Sequence, residues 1–182
     1  LAHFEVVIAP SASVVATLRE EGGWRGSATK SVAVLADPVF EPDDPRLREQ
    51  GNQARRDPDA PRGDNTGFPR LAATRQEADA IVALAAEGMT LRAIDFDASR
   101  ATAMSPELGH YRIVHFATHG VFDNENPGLS ALILSRLDER GQPQDGFLRL
   151  HDIYALRLSA VLVVLSACST ALGRVTGEGT IG

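Results

Sequence analysis

The chain of 182 residues contains one cysteine, Cys168, and one lysine, Lys30. A single thiol cannot close an internal disulfide, so no covalent staple supports the fold, and a reducing, cytoplasmic compartment is the expectation. Aromatic residues are only 5% of the chain. No uninterrupted apolar run approaches the length of a membrane-spanning helix, and residues 1–10 lack the basic start of a secretory signal. Positive charge is also short, with 18 Lys and Arg against 24 Asp and Glu and a net charge of −6. That balance removes the basic face a general nucleic-acid binder needs. Neither nucleic acid nor a membrane is therefore expected as a partner. The length suits one domain with a substantial core.

What the chain does have is two strongly hydrophobic runs, each ending on a chemically active side chain. One covers residues 162–171 and carries Leu162-Val163-Val164-Leu165-Ser166-Ala167-Cys168. The other is Tyr111-Arg112-Ile113-Val114-His115-Phe116-Ala117-Thr118-His119-Gly120. Neither shows an alternating polar face, which predicts strands buried on both sides, as in a parallel sheet. In open α/β sheets, ligands bind outside the carboxyl ends of such strands. If the two runs are parallel neighbours, Cys168 and His119 emerge at one end of the sheet. The thiolate, not the thiol, is the nucleophile, so an adjacent imidazole able to take the proton and return it to a leaving amine is what a cysteine needs there.

The rest of the chain alternates strands and helices. Residues 4–9 and 31–36 read as strands, with a short helix between them at 13–21. Residues 41–69 are rich in Pro, Arg, Asp, Asn and Gly, and read as a mobile surface loop. Within it, Arg55, Arg56 and Arg62 offer a possible site of regulatory cleavage. Thr74-Arg75-Gln76-Glu77 has the form of a capping box, followed by Ala78, Ile81, Val82 and Ala85 at helical spacing and closed by Gly88. Residues 89–96 read as a strand and 98–108 as a helix broken at Ser105-Pro106. A strand at 129–134, a polar turn at 138–146, an extended piece at Phe147-Leu148 and a short helix at 150–156 complete the series. The alternation predicts one α/β domain over residues 1–182 with a mainly parallel sheet.

Cys168 lies 49 residues after His119, close to the spacing of roughly 50 in caspase-type peptidases, and Ala167-Cys168 matches the core of their cysteine motif. A larger pattern surrounds the pair. His115-Phe116-Ala117-Thr118-His119-Gly120, Leu165-Ser166-Ala167-Cys168-Ser169-Thr170-Ala171-Leu172-Gly173 and Gly177-Glu178-Gly179-Thr180-Ile181-Gly182 together resemble the CHAT family. These are bacterial caspase-like domains of peptidase clan CD, commonly fused behind tetratricopeptide repeats. Residues 71–81 and Asn126-Pro127-Gly128-Leu129-Ser130 are similar to that family as well. The resemblance implies a caspase-like three-layer α/β sandwich, truncated at its C-terminus because the family continues beyond the Gly-Thr-Ile-Gly stretch. It implies Cys168 as nucleophile, His119 as general base and acid, and the backbone N–H groups of Gly120 and Cys168 as the oxyanion hole. The expected partners are a protein substrate, a tetratricopeptide-repeat or other sensor region of the parent protein, and the missing C-terminal part of the domain.

Asp123, Glu125 and Asp145 fall on loops able to line a cleft and favour a basic substrate side chain, although all three are also ordinary turn residues. A zinc site from His115, His119 and Cys168 lacks an obvious fourth ligand, so no metal and no cofactor is expected. His115 reads as a partly buried, satisfied histidine, His110 and His151 as solvated. Gly177-Glu178-Gly179 lacks the lysine of a phosphate loop and reads as a turn. The expected function is that of a cysteine endopeptidase domain released by a sensor region. The alternatives are a catalytically silent module of the same fold that signals by docking, and a small-molecule thiol hydrolase.

Overall fold

The computed structural model describes residues 28–49, 67–123 and 125–170. The expected elements at 4–9 and 13–21, the arginines at 55, 56 and 62, and the glycine-rich stretch from Gly177 lie outside the described residues. Among those described, six strands form one sheet. They are β1 (Lys30–Pro38), β2 (Thr90–Asp95), β3 (Tyr111–Val121), β4 (Ala131–Ile133), β5 (Phe147–Arg149) and β6 (Leu162–Thr170). β1 pairs in parallel with β2 and β3, and β3 pairs in parallel with β6. β4 and β5 pair antiparallel, and β4 joins the end of β3 antiparallel. The sheet is thus mixed, with its parallel part in the order β2-β1-β3-β6.

β3 is the strand on which the others converge. Ile113 is in register with Val32 and with Leu162, so β1 and β6 occupy opposite edges of β3. His119 is in register with Ile133 and with Cys168, so β4 takes over the edge that β1 leaves after Ala117.

The period of two along the strands sorts the core into two layers. Val32, Val34, Ala36 and Ala117 face helix α2 (Ala72–Val82), packing on Ala78, Ile81 and Val82. On the opposite face Ala33, Leu35, Val114 and Phe116 pack with Leu108 of a 3-10 turn (Pro106–His110), with Leu148 of β5 and with Ala103 of helix α3 (Arg100–Ala103). Ile133 on β4 is fully buried. Ile133→Val removes one methylene without opening a large void, so it is expected to lower unfolding stability by about 1 kcal/mol, read as a shift of the urea midpoint at constant slope.

Three expectations from the sequence need correction. The α2 helix starts at Ala72, not behind a Thr74 cap. The Thr74 hydroxyl donates to the Leu71 carbonyl at 2.7 Å and accepts the Asp37 N–H at 2.9 Å, so tertiary contacts claim both roles. The intended box partner, Glu77, instead sits 3.0 Å from His115 Nε2, although the ring N–H is poorly aligned and makes no hydrogen bond. Second, the stretch 41–69 is not wholly a loop. Helix α1 (Pro45–Glu49) forms inside it, with Arg46 and Leu47 buried. Third, β6 is not buried on both sides. Leu162, Val163 and Leu165 are 50%, 45% and 59% exposed, because among the described residues only β3 pairs with this strand.

The last helix, α4 (Leu150–Ala155), is tied down by Asp152, which accepts the Arg149 N–H at 3.0 Å and the Arg100 guanidinium at 2.5 Å. The hydrogen bond from Arg100 is the main cause holding the Asp152 carboxyl down at about 2, against an ordinary 3.8. A carboxyl lowered in the folded state stabilises at pH values above its unfolded pKa and loses that contribution as pH falls through the folded one. Asp152→Asn is therefore expected to destabilise at neutral pH and to flatten the loss of stability between about pH 4 and pH 2. Urea titrations at both ends of that window read the difference.

Candidate functional site: a histidine and a cysteine in register

His119 stands near the end of β3, where burial of the strand's neighbours fixes its backbone from both edges. The parallel register pairs it directly with Cys168 on β6. Paired positions of a parallel ladder share a face, and neighbouring strands are about 4.8 Å apart. The two positions therefore lie side by side on the sheet face that α2 covers. Both strands run slightly further than expected, since Gly120 pairs with Ser169 and Val121 with Thr170.

The ring of His119 is almost fully enclosed, at 3% exposure. Phe40 and Phe68 flank it at centroid distances of 5.1 and 5.5 Å. Its Nε2 lies 2.7 Å from the Pro69 carbonyl oxygen. A carbonyl only accepts, so Nε2 carries a proton in this contact, and in that tautomer the ring lone pair is at Nδ1. That Nδ1 is buried and has no hydrogen-bond partner among the described residues. A buried nitrogen left without a partner is uncommon.

An ionic cluster at the carboxyl ends of β1 and β2 holds this corner together. The register between the two strands slips between Ala36 and Pro38, where Asp37 adopts a left-handed φ of 46°. Asp95, at the end of β2, does the same with φ 53°. Arg46 reaches from α1 to Asp44 at 2.6 Å, to Asp95 at 2.6 Å and to the Asp37 carbonyl at 2.6 Å. Arg70 takes both Asp37 oxygens, at 2.9 and 2.7 Å, and Arg75 bridges Asp37 and Asp95. Burial pushes the Asp44 and Asp95 carboxyls up, but the arginine hydrogen bonds outweigh it and hold both below the usual range. The Arg46 guanidinium is likewise desolvated, yet its bonds to Asp44 and Asp95 raise its pKa.

The structure sets the positions of Cys168 and His119 in register but distributes the acidic candidates elsewhere. Asp123 accepts the N–H groups of Glu125 and Asn126 at 2.9 and 2.8 Å, closing its own turn. Glu125 is exposed. Asp145 pairs with Arg149 at 3.0 Å and accepts the Phe147 N–H. In their place the neighbours of His119 are Phe40 and Phe68, and Arg136 lies 5.9 Å over the Phe68 ring. Gly120 is inside the ladder, in register with Leu132 and Ser169, rather than in a loop. Among the described residues no three His, Cys, Asp or Glu side chains gather as a metal site, and no helix is long and apolar enough to cross a membrane. The Pro69 carbonyl escaped the sequence reading because a backbone acceptor carries no residue signature. Asp37, Arg46 and Arg75 left only a faint trace, an Asp-Pro pair closing a strand and scattered arginines.

A mixed α/β sheet thus sets a histidine and a cysteine in register on neighbouring parallel strands. The CHAT domain family matches the chain over residues 1–182, and the chain belongs to that family, which is related to caspase-like cysteine peptidases. No curated protein and no solved structure matches it.

Proposed function

We propose that this domain is a cysteine endopeptidase with a caspase-like sandwich fold, acting through Cys168 and His119. The register of those two positions on β3 and β6 is the observation that carries the reading. In the proposed cycle, His119 Nδ1 takes the proton of the Cys168 thiol while Nε2–H stays on the Pro69 carbonyl. The thiolate adds to the scissile carbonyl carbon and gives a tetrahedral oxyanion intermediate. Collapse breaks the C–N bond, and the amine leaves with the proton from Nδ1. Water, deprotonated by the same nitrogen, then hydrolyses the thioester and frees the thiol. A tetratricopeptide-repeat or other sensor region, chain beyond this domain, and a cytoplasmic protein substrate complete the proposal. Asp123, Glu125 and Asp145 are the acidic candidates for the substrate pocket, and turns and ion pairs hold two of the three carboxylates.

A second reading, a silent docking module, draws on the exposed Val161, Leu162, Val163 and Leu165, an apolar strip beside the site. A peptide library with mass-spectrometric readout separates the two. Cleavage by the protein that disappears in Cys168→Ala is expected, and an intact library in both samples would favour docking.

A further inference from the structure

We propose that Arg70, gripped by Asp37, is a positioning residue that holds the Pro69 carbonyl on His119. The inference rests on the dyad reading above and adds to it the device that sets the base. Arg70 directly follows Pro69, so the Pro69 carbonyl and the Arg70 N–H belong to one planar peptide unit. Pro69 has its φ fixed by its ring, which leaves few torsions free on that side of the unit. On the other side Arg70 is pinned by two parallel hydrogen bonds to Asp37, at 2.9 and 2.7 Å. Two-point pairing of this kind fixes direction as well as distance.

The anchor itself cannot drift. Asp37 is fully buried, its N–H is held by the Thr74 hydroxyl at 2.9 Å, and Arg75 binds the same carboxylate at 2.9 Å. Its left-handed backbone is a conformation that a non-glycine residue keeps only where the surroundings enforce it. The result is a chain of fixed parts from the end of β1 through Arg70 to the carbonyl, ending 2.7 Å from Nε2. With Nε2–H so held, the open lone pair stays on Nδ1 and the ring cannot turn. Arg70 touches no reacting atom, and it acts only through the peptide plane.

The test compares Arg70→Gln with Arg75→Gln, both side chains being about one-third exposed at 34% and 30%. Arg75 shares the Asp37 carboxylate but sits on α2 and has no peptide unit in common with Pro69. Nitrogen-15 NMR of the histidines reads the His119 Nε2–H, alongside melting temperature and the rate of Cys168 alkylation. Arg70→Gln is expected to speed exchange of that proton with water, and to slow alkylation, by about tenfold each, the equivalent of one hydrogen bond. Arg70→Lys, which keeps charge but loses the two-point grip, falls between. Arg75→Gln lowers the melting temperature and leaves the Nε2–H signal in place. An Arg70→Gln protein with the wild-type Nε2–H signal and wild-type alkylation overturns the proposal, even where His119→Ala slows alkylation and the dyad stands. A His119→Ala protein that alkylates normally overturns the dyad instead.

Discussion

His119→Ala is expected to slow alkylation of Cys168 by a peptidyl electrophile about thirtyfold at pH 7. A thiol with the ordinary pKa near 8.5 is only about 3% thiolate at that pH, whereas one paired with an imidazole is mostly ionised. The register sets the two positions side by side, and the proposed dyad pairs their side chains. The difference should shrink as pH rises past 9, where any thiol ionises unaided. Peptide turnover should fall further, by about 10²- to 10⁴-fold, because the leaving amine also loses its proton donor. Alkylation rates measured from pH 6 to 10 decide the matter. Superimposable profiles for the two proteins would leave His119 without a role.

The largest structural loss is expected at Arg46. This guanidinium is 9% exposed and serves Asp37, Asp44 and Asp95 along with two backbone carbonyls. Arg46→Ala leaves Asp37 and Asp44 buried with a cation missing, and breaking such a buried set costs about 3–5 kcal/mol. That is a large part of the roughly 5–15 kcal/mol a domain has in total. Urea unfolding at pH 7 measures it, with Arg46→Lys as the partial replacement. Since arginine hydrogen bonds hold Asp44 and Asp95 low, the wild-type advantage should fade as pH drops below about 4 and the carboxylates protonate. A change under about 1 kcal/mol at pH 7 would mean that solvent compensates for the lost cation.

Arg46 also shows where the sequence stopped being legible. The apolar runs around Val34, Ile94 and Phe116 announce β1, β2 and β3, because aliphatic density alone reports a buried strand. The turn from Asp138 to Gly146 and the hairpin it joins were readable from polar composition. Residues 45–49 were not, since Pro-Arg-Leu-Arg-Glu has one apolar residue and is held by ion pairs to distant strands. Thr74 and Glu77 matched a local capping pattern that tertiary partners overrode. Leu162, Val163 and Leu165 read as core from composition, but composition does not say whether a strand has neighbours. At the site the sequence offered the two reactive side chains and their spacing. It was silent on the Pro69 oxygen, a backbone atom brought in by folding from 50 residues away.

The convergence of three ladders on β3 has a mechanical corollary. β1, β4 and β6 each hydrogen-bond to that one strand, so pulling it out would dismantle the sheet in a single event. The β1-β2 and β4-β5 pairs keep their own ladders, but among the described residues nothing except β3 joins these pairs and β6 into one sheet. The histidine sits on this shared spine, and its loss of alignment and the collapse of the whole sheet should be one and the same transition.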